Sequence, residues 1–169
     1  MAILPIRTFP DPVLRNICSK AEPATDFIRK LAGDLLETMY NAPGIGLAAP
    51  QVGECVRMVV LDITGSTGDE VPYFLLNPEI VHSEGSISFE EGCLSFPELS
   101  VEIDRANTVR VIFQDLEGTP VTLEADGLLA VAIQHELDHL EGRVIMDYAS
   151  PVRRDLYRRK VRKILAQEA

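Results

Sequence analysis

The stretch "LLAVAIQHELDHLEG", residues 128–142, decides the fold. Its first half, LLAVAI, is apolar all round, as expected of a helix enclosed by other elements. The second half abruptly carries His135, Glu136, Asp138 and His139, polar groups that need partners in such a place. Residues four apart on a helix share one face about 5–6 Å apart at Cβ, so His135 and His139 can reach a single metal ion. Glu136 is rotated by about 100° around the axis and stands beside the ion without binding it, placed to take a proton from a water. The helix is expected to begin near Asp126 and to stop at Gly142, because glycine tolerates the positive φ that follows a helix end.

A buried helix requires walls, and the preceding residues supply them. From Val56 to about Ala125 the chain reads as strands: VRMVVLDI, YFLLNPEIV, TVRVIFQD and TPVTLEA are short β-branched runs separated by Gly, Pro, Ser and Asp. The most loop-like stretch, Thr64 to Pro72, suits a hairpin linker. Before the strands, TDFIRKLAGDLLETMYNAPG carries Phe27, Leu31, Leu35 and Met39 near helical spacing, with Thr25 or Asp26 as cap and Pro43-Gly44 as stop. A C-terminal helix over about 151–167 is expected, with Ser150 as cap and Pro151 in its first position. The class is therefore α+β, with mostly antiparallel strands around a central helix and a helix near each terminus. At 169 residues, one domain over 1–169 is expected.

Composition narrows the function classes. The chain is 46% hydrophobic and 25% charged, and no apolar run approaches the roughly 18 residues of a membrane span. The start lacks the pattern of a secretory signal, and three cysteines are too few for a disulfide scaffold. A cytoplasmic location of bacterial type is expected, with an organelle as the alternative. The net charge of −10 is uneven: from Pro151 onward seven basic residues oppose two acidic ones, a local +5, leaving −15 on the rest. The acidic body repels polyanions, while the basic helix is either a contact surface for phosphates or a solvated face.

A catalytic ion of this kind needs a third protein ligand and one open position. In one peptidase class the signature continues to a third histidine, but here Ile145 stands at that place. Asp147 has no further support, and His82 in the strand region reads as an exposed polar residue. Cys93, in EEGCLSFPE, is the better candidate, whereas Cys18 and Cys55 stand in mixed apolar settings typical of inert buried thiols. A third cluster, PGIGLAAPQVG, matches G-x-G-x-x-A at Gly44, Gly46 and Ala49, yet a helix precedes it and Pro50 interrupts it, so no nucleotide cofactor is expected. Dense glycines instead let a backbone pass close to a ligand, with the Gln51 carboxamide at the same place; a tight structural turn is the plain alternative.

Together, GIGLAAPQVG, EGCLSFPE and QHELDHLEG resemble the three signature segments of the peptide deformylases, in the same order and with similar spacing. The resemblance implies a metal hydrolase that removes the N-formyl group from the initiator methionine of nascent polypeptides and releases formate. It implies Cys93, His135 and His139 as metal ligands and Glu136 as proton carrier, with the Leu94 backbone N–H and the Gln51 side chain facing the formyl oxygen. Glu91 and Arg105 look like a pair bracing the cysteine loop. Gly44, Ile45 and Gly46 look like the edge that pairs with an extended peptide, and Phe89, Leu128 and Ala132 like the lining of the methionine pocket, with core packing as the alternative for each. Ala42 and Pro43 stand where many relatives carry acidic residues, and Leu99 and Ser100 where a basic residue follows the cysteine motif.

The resemblance suggests Fe²⁺ as the physiological ion, while a mixed nitrogen and sulfur donor set also admits Zn²⁺, Ni²⁺ or Co²⁺. Expected partners are formylmethionyl nascent peptides and, through the basic helix, the ribosome. Two other functions fit parts of the pattern: a general HExxH metallopeptidase, and a non-catalytic module with a structural metal that docks to the ribosome.

Overall fold

The structure is a computed structural model that describes residues 1–65 and 68–169. The expected elements are present, and the α+β class holds. Helix α1 spans Asp26–Asn41, capped by the Thr25 side chain, which accepts from the Ile28 N–H. Strand β1 (Gly46–Ala48) leads through a short 3-10 turn at Ala49–Val52 to β2 (Met58–Leu61) and β3 (Tyr73–Glu84). Then come β4 (Ile87–Cys93), β5 (Phe96–Arg105), β6 (Thr108–Gln114) and β7 (Pro120–Asp126). The buried helix is α2, Gly127–Leu140, and the C-terminal helix is α3, Pro151–Glu168, capped by Ser150. Among the described residues no helix is long and apolar enough to cross a membrane.

Five strands form one antiparallel sheet in the order β1-β2-β3-β6-β7, and β4 and β5 form a separate hairpin. Strand β2 shows why the apolar run MVVL belongs in a two-sided core. Met58 and Val60 pack with Leu31, Leu35 and Met39 of α1, whereas Val59 and Leu61 pack with Ala130 and Ile133 of α2. Successive side chains of a strand point to opposite faces, so a strand sandwiched by two helices is apolar at every position. The linker between β2 and β3 does join antiparallel neighbours, although its residues 66 and 67 lie outside those described.

Three expectations need correction. Phe27 is half exposed, and Ile28, 1% exposed, takes its place on the inner face of α1. Leu128 is 38% exposed, so LLAVAI is not buried all round; its first turn borders a cleft. Cys55 is only half-buried, with its sulfur 3.2 Å from that of Cys18, so of the two only Cys18 is a buried thiol.

A third apolar cluster joins β5 to the segment after α2 and to α3 through Tyr157, whose hydroxyl donates to the Pro97 carbonyl at 3.0 Å. Gly142 ends the α2 region at φ +73, and a Cβ there would meet the Arg15 carbonyl oxygen at 2.5 Å. The expected stop is therefore enforced by close approach as well as by backbone conformation.

Candidate active site

The period-two pattern of β5 carries an arginine into the interior. Leu99, Val101 and Ile103 are buried on the inward face, and Arg105 follows at the same parity, 7% exposed. Glu91 of β4 stands opposite Val101 on that face. Arg105 donates to both Glu91 oxygens, at 2.8 and 2.9 Å, and also to Asp138 at 2.7 Å. Sequence reasoning paired Glu91 with Arg105 but missed Asp138 and Tyr148, whose hydroxyl donates to Asp138 at 2.7 Å. The signal for Asp138 was present: an acidic residue on a buried helix needs a cation. Nothing in the local sequence marks Tyr148.

This network reaches the metal-type cluster through His135, whose Nδ1 lies 2.8 Å from Glu91 Oε1. A carboxylate at Nδ1 fixes the ring so that Nε2 faces the site. His139 Nε2 lies 3.4 Å from Cys93 Sγ, and one ligand atom each from Cys93, His135 and His139 all fall within 4.8 Å of one another. No other such group of three occurs among the described residues. His82 is exposed and pairs with Glu84, Asp147 pairs with Arg15, and Ile145 is buried in the third apolar cluster, so the longer peptidase signature is not completed.

Glu136 is 5% exposed, and its Oε2 has no hydrogen-bond partner among the described residues. His139 Nδ1 is likewise buried and unpartnered. Buried polar atoms are normally satisfied, so each such exception needs a physical reason, and a bound ion or water beside converging ligand atoms is one. Burial pushes the Glu136 carboxyl up to about 7. Burial also works to raise Glu91, but hydrogen bonds from His135 and Arg105 reverse that and hold it below its ordinary value. Burial pushes His139 down, which favours its neutral imidazole, whereas at His135 burial is outweighed by the hydrogen bonds to Cys93 and Glu91, which push it up. A soft thiolate, two imidazoles and an unpaired carboxylate beside them fit one divalent transition-metal ion.

Gln51 comes to the same place from the turn after β1. Its Oε1 accepts from the Ala48 N–H at 2.9 Å, and its Nε2 donates to Ser95 Oγ at 3.1 Å and to Cys93 Sγ at 3.6 Å. Ser95 was not anticipated, although it stands two residues from the cysteine in the same motif. A cleft of about 490 Å³ opens over this cluster. Gly44, Ile45, Gly46 and Leu94 line one part of it, and Phe89, Leu128 and Ala132 another.

Residues 3–155 match the model of the family described as polypeptide deformylase. The chain belongs to that family. It is 48% identical to a peptide deformylase of Acinetobacter baumannii (strain SDF), over 99% of this chain and 94% of the relative. One from Brucella suis is 45% identical over 100% of this chain and 97% of its own length. The crystal structure of a peptide deformylase from Legionella pneumophila superposes with a TM-score of 0.90 at 41% identity, covering 99% of this chain and 98% of that one. The Ehrlichia chaffeensis enzyme in complex with actinonin gives 0.91 at 37% identity, over 96% and 98%. The chain is thus a metal-dependent deformylase-family hydrolase that acts on N-formylated nascent peptides, and it uses a divalent ion.

Gly46 leaves room for the Glu136 carboxyl in this deformylase. A Cβ there would lie 2.5 Å from Glu136 Oε1. Gly46→Ala is expected to push that carboxylate aside and to lower kcat by about 10- to 100-fold, as a misplacement of roughly 1 Å does. Metal content should be unchanged; an unchanged kcat would show that Glu136 moves without cost.

Proposed function

We propose that Cys93, His135 and His139 hold the ion of a deformylase centre, with Glu136 as proton carrier, in one catalytic unit spanning residues 1–169. The unpartnered Glu136 Oε2, buried beside three converging ligand atoms, is the observation that carries this reading. When bound, the ion supplies Lewis acidity toward water and toward the formyl oxygen. Glu136 takes the proton of the attacking water at its free oxygen and returns it to the leaving amine nitrogen. Negative charge develops on the formyl oxygen, where the Gln51 carboxamide and the Leu94 backbone N–H face it; one such donor contributes roughly 2.7–4 kcal/mol. The Glu91–Arg105–Asp138 network orients His135.

Among the described residues β1 pairs only with β2, which leaves its other edge for an extended peptide and suits backbone recognition at Gly44, Ile45 and Gly46. Phe89, Leu128 and Ala132 receive the methionine side chain; two of the three are more than a third exposed, as pocket walls are before a ligand covers them. Actinonin, seen with the Ehrlichia chaffeensis relative, would occupy this same cleft. We assign Fe²⁺ as the ion in the cell and the cytoplasm as the location, on the family resemblance; equal activity of iron-only and zinc-only protein prepared anaerobically would remove the basis for iron. The exposed Arg158, Arg159 and Arg162 of α3 are the contact we assign to the ribosome, and reversing their charge should weaken ribosome binding and flatten its salt dependence.

The deciding experiment is formate release from a formyl-Met tripeptide by anaerobically purified protein. Turnover that follows metal content is expected. No formate from fully metallated protein would sink the deformylase reading and bring forward the non-catalytic ribosome-binding module.

A further inference from the structure

Cys18 and Cys55 lie outside the three-residue metal cluster, and nothing in the deformylase chemistry uses them. Their sulfurs are 3.2 Å apart. The backbones that carry them are laced together: the Ser19 N–H donates to the Cys55 carbonyl at 3.2 Å, and the Arg57 N–H to the Ser19 carbonyl at 2.8 Å. Ser19 and Val56 form an isolated parallel bridge, so the two thiols are held face to face by main-chain bonds. A disulfide at about 2.05 Å needs the sulfurs to close by only about 1 Å. On the other side, the Cys18 N–H donates to the carbonyl of Leu140, the last residue of α2, at 2.9 Å.

We propose that Cys18 and Cys55 are a peroxide-sensitive thiol pair that closes to an intramolecular disulfide, separate from the metal ligand Cys93. Half-buried Cys55 is the sulfur that a small peroxide reaches; Cys18 is 6% exposed. The Cys55 thiolate attacks one peroxide oxygen, an S–O bond forms, the O–O bond breaks and hydroxide leaves, giving a sulfenic acid. Cys18 then attacks the Cys55 sulfur, the S–S bond forms, the S–O bond breaks, and the hydroxyl departs as water with the Cys18 proton. In net terms two thiols and one hydrogen peroxide give one disulfide and two waters. Burial and the hydrogen bond with Cys55 push the Cys18 thiol up to about 12, which suits a sulfur that keeps its proton until the second step. The closed bond ties the N-terminal segment to the segment after Gln51, and the Cys18 N–H bond to Leu140 connects that tie to the end of α2. A soft-metal site is the weaker reading of the same pair, since no third ligand joins it among the described residues.

The test is a disulfide map of zinc-loaded holoenzyme treated with hydrogen peroxide, alkylated and digested with trypsin without reductant. The three cysteines fall in separate tryptic peptides, 16–20, 31–57 and 58–105. Expected is a peptide joining 16–20 to 31–57, two hydrogens lighter than its parts and released by dithiothreitol, with free thiols falling from three to one. The oxidised protein should unfold about 5–10 °C higher than the reduced one. Cys18→Ser and Cys55→Ser should each abolish the linked peptide while keeping formate release. A link to 58–105, a disulfide between two chains, or Cys55 advancing to sulfinic acid with Cys18 still free would each overturn the proposal. The wild-type map decides the matter even where a variant folds poorly.

Discussion

Glu136→Gln is expected to lower kcat for formate release by roughly 1,000- to 10,000-fold while leaving the metal content unchanged. The substitution keeps the shape of the side chain and removes its capacity to accept and return a proton. It does not touch the three ligand atoms, which come from Cys93, His135 and His139. KM should stay within a few-fold, because the peptide edge and the cleft walls are left in place. The pH profile gives a second, independent reading. A general base must be ionised, so wild-type kcat/KM should fall as the pH drops through the Glu136 pKa. Burial among the chain's own groups sets that value at about 7, and a cation in the pocket brings it lower. The acid limb attributable to Glu136 should vanish in the variant. Full metal content with more than a tenth of wild-type kcat would remove Glu136 from the proton path.

Arg105→Ala is expected to destabilise the protein by about 3–5 kcal/mol, since it leaves Glu91 and Asp138 as buried carboxylates without their cation. Both are under 9% exposed. The midpoint of thermal unfolding should fall by about 10 °C. Metal affinity should drop by about 10- to 100-fold, because Glu91 then holds His135 less firmly. Arg105→Lys should rescue little, since one ammonium cannot reproduce a guanidinium that grips both Glu91 oxygens and Asp138. The pH dependence has a definite sign. Glu91 is held below the ordinary 4.5, so the stability it contributes is complete above that value and is lost as the pH falls through the lower, folded one. The gap between wild type and Arg105→Ala should therefore be full at neutral pH and narrow as the pH falls below about 4.5. A variant within 1 kcal/mol of wild type at neutral pH would show that the network does not brace the helix.

Much of this is legible in the amino-acid sequence. The helix periodicity and the i, i+4 histidines are local properties, set by backbone geometry that any helix shares. The strands VRMVVLDI, YFLLNPEIV, TVRVIFQD and TPVTLEA are equally local, and each one forms. The hairpin of β4 and β5 was harder to see, because EEGCLSFPE mixes Gly, Pro and charge; its strands are stabilised by pairing with each other and by the cluster around Phe96. Phe27 and Ile28 show a second limit. Both fit a helix, and only the position of β2 selects which of them is buried.

By itself, then, the sequence determined which residues share a helix face or a strand face and where those elements start and stop, since such relations depend on neighbours a few positions apart. The grouping of Cys93 with the two histidines of α2, and of Glu91 with Arg105, came from family resemblance and not from local pattern; only the tertiary structure decided that Arg105 also reaches Asp138 and that Cys18 faces Cys55. Those contacts join residues tens of positions apart, and they depend on how twisted strands and helices pack when their apolar faces leave water.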